Sequence, residues 1–181
     1  LGVDFAARAQ TSLVPSNVTW NGSGEVEVPL KVTNHDKITG LQFTLKWDPS
    51  VLSLVTQAGW PPGSDPTVKI GSSKHKQKSL TDFEDVFTAS NFNYPVTPPG
   101  ETDAIEGEAT FLWAEDEQYY LGVGYTYEDE DALMSVFFEV VDSSAENTYV
   151  SIIGEPTPFV WSNTDGTTVV TATSPGLITI G

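Results

Sequence analysis

The chain has no cysteine, one methionine and two histidines, and beyond Lys78 it has no lysine or arginine. The missing cysteine removes disulfides, zinc–thiolate centres and a cysteine nucleophile together. Only His35 and His75 could supply an imidazole. His35 lies in NHDKITG, which reads as a loop between strands, and His75 lies inside the basic run KHKQK at 74–78. Neither has a serine or carboxylate partner at a recognisable spacing, and no GxSxG elbow occurs. Both are therefore expected to be solvated loop residues. No apolar run is long enough to span a bilayer, so membrane insertion is not expected. The chain begins LGVDFAAR, without a signal-peptide pattern, so a mature fragment or an excised module is expected.

The absence of basic residues after Lys78 shapes the charge distribution. The first 78 residues hold all eight basic side chains and six acidic ones, close to neutral at +2. The rest carries nineteen acidic residues, and the formal net charge is −17. A field of this sign repels phosphates and argues against nucleic acid as a partner. Two readings stay open. The acidic half suits a cationic partner or calcium-rich, saline surroundings, or it serves solubility alone.

Carboxylate runs are present at Asp82/Glu84/Asp85, Glu115/Asp116/Glu117 and Glu128–Asp131. A glycosidase needs two carboxyls facing each other across a sugar, one of them buried to raise its pKa. These runs lie in turns where exposure to water is the simplest state, so no catalytic residue is assigned and the chain is not expected to be an enzyme. Glu128–Asp131 and Asn163-Thr164-Asp165-Gly166 offer oxygen ligands to calcium, but neither has EF-hand spacing. No metal site and no cofactor are assigned. Two sequons, Asn17-Val18-Thr19 and Asn21-Gly22-Ser23, read as chance occurrences.

What the chain does have is strand-forming sequence. Val26, Val28, Leu30 and Val32 alternate with Glu25, Glu27, Pro29 and Lys31. Leu41, Phe43, Leu45 and Trp47 alternate with Gln42, Thr44 and Lys46. Each pattern describes a strand with one buried and one wet face. Asp48-Pro49-Ser50 then stops the second strand, because Pro49 cannot donate to a ladder and suits an early turn position. No amphipathic helical pattern is sustained, and 181 residues suffice for one domain, 1–181, with a sizeable core. The expected class is all-β, a sandwich of two sheets. A long irregular insertion, 60–105, interrupts the strands; within it Leu80–Ser90 is read as a short helix.

Aromatic residues support a carbohydrate-binding alternative. Trp47 and Trp113 fall on inward strand positions and are assigned to the core. Trp60 and Trp161 stand in proline-rich surroundings and are the candidates for exposed platforms. Tyr119, Leu121, Val123, Tyr125 and Tyr127 share one strand face, with Gly122 and Gly124 opposite allowing close backbone approach.

Five segments together resemble the cohesin family, the dockerin-binding domains of bacterial scaffold proteins. EVEVPLKV is similar to its VPV-type strand, and GLQFTLKWDPSVLSL to its strand, DPS turn and short apolar run. FLWAED at 111–116 resembles its FLFAED-like strand and exit, and MSVFFEV at 134–140 its ATITFKI-like strand. SPGLITIG at 174–181 is similar to its closing strand. The resemblance implies about nine strands with jelly-roll-like topology. It also implies a non-catalytic, monomeric, extracellular or cell-surface module in a scaffoldin setting. Its partner would be a calcium-loaded dockerin, borne by a polysaccharide-degrading enzyme or an anchoring protein. The partner-contacting positions it implies are Gln42, Leu112, Glu115 and Gln118, all expected to face outward, with Leu112 an apolar residue on a wet face unless the insertion covers it. Cohesins of the best-known type often carry an acidic residue where this chain has the uncharged Gln42.

Overall fold

A computed structural model of the chain describes residues 10–57, 67–71, 87–97, 100, 103–115, 124–164, 168–169 and 171–181. Its strands are, in chain order, β1 (Thr11–Pro15), β2 (Val18–Thr19), β3 (Glu25–Thr33), β4 (Ile38–Trp47), β5 (Leu52–Leu54), β6 (Thr56–Gln57), β7 (Thr67–Val68) and β8 (Phe92–Asn93). After these come β9 (Glu108–Ala114), β10 (Ala132–Val140), β11 (Asn147–Ile153), β12 (Val160–Asn163), β13 (Thr168–Val169), β14 (Thr171–Ala172) and β15 (Gly176–Thr179). Nine of these are three residues or longer. Among the described residues the only helical element is the 3-10 turn Ala89–Asn91. Of the helix expected over 80–90, Phe87 and Thr88 are not helical, Thr88 being extended where it caps this turn, and 80–86 lie outside the described residues.

Two sheets face each other. The first runs β14-β1-β3-β10-β5. The second runs β13-β12-β4-β11-β15-β2, with β9 on the free edge of β4 and β8 beyond it. Strand β4 organises the second sheet. One of its edges pairs with β9 from Gly40 to Lys46; the other pairs with β12 over Ile38–Gln42 and with β11 over Thr44–Trp47. Alternation sets the inner layer. Val26, Val28, Leu30 and Val32 of β3 are buried, as are Leu41, Phe43, Leu45 and Trp47 of β4. Burying each such side chain contributes about 1.5–3 kcal/mol.

The insertion helps to build this core. Phe87 and Phe92 are buried, with ring centroids 5.7 and 5.0 Å from Phe111, which itself stacks on Phe43 at 4.8 Å. Its earlier part extends the other sheet, where Gly71 N donates to Ser135 O of β10. The described parts of the insertion thus engage both sheets. At the turn before β9, Gly107 adopts φ +75°, and a Cβ there would collide with the Trp47 carbonyl. That approach lets Trp47 N donate to Gly107 O and sets the register of β9.

Candidate protein-binding face

Strand β9 sends Ala109, Phe111 and Trp113 inward, so Leu112 must point out. It is 63% exposed, the most exposed of the large apolar side chains described. Leu112 stands opposite Gln42 of β4, and Gln42 stands opposite Val160 of β12. The next outward row is Ala114, Gly40 and Ser162, all small. Three neighbouring strands therefore present an uncharged patch with one projecting apolar side chain. Asn91 Nδ2 donates to the Leu112 carbonyl at 3.1 Å, so the insertion steadies the backbone and leaves the side chain open. The covering of Leu112 by the insertion does not occur among the described residues.

Lower on the same face the sheet is closed. Thr44 is fully buried beneath the β11–β12 connection: its Oγ1 donates to Thr157 O and accepts from Thr157 N, both at 3.2 Å. Beyond it, Lys46 Nζ meets Glu108 Oε1 at 2.9 Å, neutralising the one carboxylate of β9.

Of the four positions expected to meet a partner, Gln42 and Leu112 lie side by side on this patch. Glu115 does not join them. It has the same parity as Phe111 and Trp113, so alternation carries it to the inner side, where it is 9% exposed. Burial there is tolerated because the carboxylate accepts the Gly124 amide at 3.2 and 3.3 Å. Its own amide donates to Thr39 O at 2.7 Å. Gln118 lies outside the described residues. So do Trp60, His75 and the aromatic positions 119–123. Tyr125 and Tyr127 of that run are buried, and Gly124, at φ +69°, allows the expected close approach, here to the Lys37 backbone.

Two further expectations are corrected. Trp161 is fully buried rather than a platform, because it sits on the inward phase of β12 opposite Leu41. His35 is 1% exposed rather than solvated. The turn between β3 and β4 folds under the 124–129 segment: Tyr127 N donates to His35 O, Asn34 N to Asp129 Oδ1, and Thr126 Oγ1 to Asp36 Oδ1. These contacts span about ninety positions of sequence, and nothing local to NHDKITG signals them. Burial lowers the His35 pKa from 6.5 to about 4; the nearby His35 and Tyr125 carbonyls and Asp36 oppose this without reversing it.

Nothing in these surroundings makes His35 a general base, since it faces Tyr127 and Trp161 rather than a nucleophile or an open cleft. The Glu128–Asp131 run serves local structure. Asp129 ties down the β3–β4 turn, Asp131 Oδ2 accepts from Glu128 N at 3.3 Å, and Glu130 reaches Lys31 at 3.7 Å. Among the described residues no group of three His, Cys, Asp or Glu converges to hold a metal ion. The Asp48 and Asp142 carboxyls are held below their usual range by the Ser50 and Ser144 hydroxyls and amides, a turn-closing arrangement repeated after β4 and β10.

No curated protein sequence matches the chain. Among solved structures, a cohesin in the Coh-OlpA–Doc918 complex of Clostridium thermocellum is 13% identical, with TM-score 0.63, covering 96% of this chain and 100% of that one. The sixth cohesin of Acetivibrio cellulolyticus scaffoldin B, solved with the Cel5 dockerin, is 20% identical, with TM-score 0.59 and coverages of 96% and 100%. A non-cellulosomal cohesin from the archaeon Archaeoglobus fulgidus is 18% identical, with TM-score 0.58 and coverages of 96% and 92%. The cohesin domain model matches residues 13–180, nearly the whole chain, and the chain belongs to the cohesin family.

Proposed function

We propose that this domain is a non-catalytic receptor module that holds a dockerin-bearing partner on the outer face of its second sheet. The observation that carries the reading is Leu112, 63% exposed beside Gln42 on a pre-formed, uncharged three-strand patch. An apolar anchor surrounded by polar and small residues is the composition of an interface centre with a wet rim. Gln42 and Leu112 are the proposed contacts, with Gln118 a third just beyond β9. Glu115 contributes by holding Gly124, without touching the partner itself. The setting proposed is extracellular or at the cell surface, with the partner a calcium-loaded dockerin on a polysaccharide-degrading enzyme or anchoring protein. Among the described residues no helix is long and apolar enough to cross a membrane.

The sugar-binding alternative loses one of its two candidate platforms, since Trp161 is committed to the core. The test is calorimetric titration against a panel of calcium-loaded dockerins at moderate and high salt. Saturable one-to-one binding is expected. No heat with any of them would overturn the reading and turn attention to polysaccharides.

A further inference from the structure

At one end of the sandwich three elements distant in sequence meet around a single imidazole. Tyr127 lies edge-on to His35 at 5.0 Å, and Trp161 of β12 does so at 4.8 Å. Neither His35 ring nitrogen has a hydrogen-bond partner, and neither does Trp161 Nε1. A neutral imidazole suits such an aromatic enclosure. An imidazolium suits it less, because it brings a charge into a desolvated aromatic space, a cost that the nearby His35 and Tyr125 carbonyls only partly offset. The enclosure is wired to the partner-binding face through one strand. Trp161 stands opposite Leu41, and its neighbour Val160 stands opposite Gln42, which in turn faces Leu112. Strand β12 is four residues long, and all four pair with β4, so its seat against that strand is what Trp161 anchors.

We propose that His35 is a positioning residue for the partner-binding face: as the neutral imidazole it seats Trp161 and holds β12 against β4, and its protonation lets β12 withdraw and releases the partner. This rests on the reading of the face given above. The charged groups around the ring do not offset the effect. On its own turn stand Asp36, whose Oδ1 is engaged by Thr126, and the exposed Lys37. From the 124–129 segment come Tyr127, Glu128 and Asp129, the last accepting from Asn34 N at 2.7 Å. Glu115 is engaged at Gly124, and β12 brings no titratable side chain. Of the charged groups only Asp36 favours the protonated ring; it acts more weakly than the His35 and Tyr125 carbonyls, and all three together do not reverse the effect of burial. The fall from 6.5 to about 4 corresponds to about a 300-fold preference for opening once the ring is protonated.

The test compares the parent and His35→Phe, which keeps an aromatic ring but cannot be protonated. Each is titrated with one calcium-loaded dockerin from pH 7.5 to pH 4.5. Because the dockerin is shared, its own titration cancels in the ratio. The parent is expected to lose more affinity than the variant over this range, by up to about 80-fold, the shift toward opening that pKa values of 6.5 and about 4 allow at pH 4.5. Identical profiles would overturn the positioning role and leave the docking reading intact, whereas no binding by the parent even at pH 7.5 would count against the docking reading. A partner-free measurement decides the inference in that case, or if the variant does not fold. Amide exchange of the parent, corrected for intrinsic rates, should show β12 losing protection below pH 6 while β3 keeps it. Equal loss in both strands would overturn the proposal.

Discussion

The two outer faces of the sandwich are made by strands of the same alternating kind and are finished differently. On the first sheet Glu25 and Glu139 stand opposite each other, as do Glu27 and Phe137. Lys69 then crosses this face, pairing with Glu25 and lying 4.5 Å over the Phe137 ring, while Lys31 meets Glu130. That face carries charge and covers its large apolar side chain from within the chain. On the second sheet the upper rows carry Leu112, Gln42, Val160, Ala114, Gly40 and Ser162, and Leu112 is left uncovered. An exposed apolar side chain carries little information alone. One left open on a flat neutral patch, when Phe137 on the opposite face is covered by Lys69, is what supports the proposal that the second sheet meets the partner.

Mutations should separate the layer both faces share from the faces themselves. The largest effect belongs to the shared layer. Phe43 is fully buried and stacks on Phe111, so Phe43→Ala should cost about 3–5 kcal/mol in denaturant unfolding. A parent-like midpoint would invert the phase of β4 and with it both faces. Next comes pH. His35 stays neutral in the folded chain and titrates at 6.5 when unfolded, so its contribution is complete above pH 6.5 and declines as pH falls toward 4. The loss by then should be about 3 kcal/mol, absent in His35→Phe. Melting curves from pH 8 to pH 4 on both proteins read the difference directly.

Two smaller effects discriminate between neighbours at the end of β9. Glu115→Ala leaves the buried Gly124 amide without its carboxylate and should cost about 1–3 kcal/mol of stability. Leu112→Ala should leave stability unchanged and weaken dockerin binding by about 1–2 kcal/mol, roughly five- to thirtyfold. The reverse pattern, a destabilised Leu112 variant and a Glu115 variant defective only in binding, would exchange the inner and outer sides of β9.

Much of this was legible in the alternation of β3, β4 and β9, because a period of two has only one phase that buries Phe43, Trp47 and Trp113 together. The same rule, followed one residue past Ala114, puts Glu115 inside. Placing it outside followed the family resemblance instead of the alternation, and the Gly124 amide that makes its burial tolerable is nine positions away. His35 and Trp161 were less accessible. Proline-rich flanks suggested exposure for Trp161, yet pairing with β4, some 120 residues distant, fixes its phase. Burial of His35 arises only when the β3–β4 turn, the 124–129 segment and β12 converge. Local pattern reports the strand faces; it does not report which distant segments close over a turn.

The contrast between faces is sharpened most by the smallest change. Lys69 contributes one ion pair with Glu25 and one cation–π contact with Phe137, each on a surface about one-third exposed. A partly exposed pair gives about 0.2–1 kcal/mol and such a cation–π contact about 0.5–1 kcal/mol, before the entropy of fixing a long side chain is subtracted. Lys69→Met keeps most of the stem over Phe137 and removes the charge, so stability should fall by about 0.5–1 kcal/mol at low salt. The difference should shrink as salt screens the parent's ion pair. Dockerin affinity should not move, because Lys69 works on the first sheet and Leu112 projects from the second. A Lys69→Met variant that bound its partner as weakly as Leu112→Ala would mean that the partner reaches around the sandwich edge, and the charged face would then have to be counted as part of the interface.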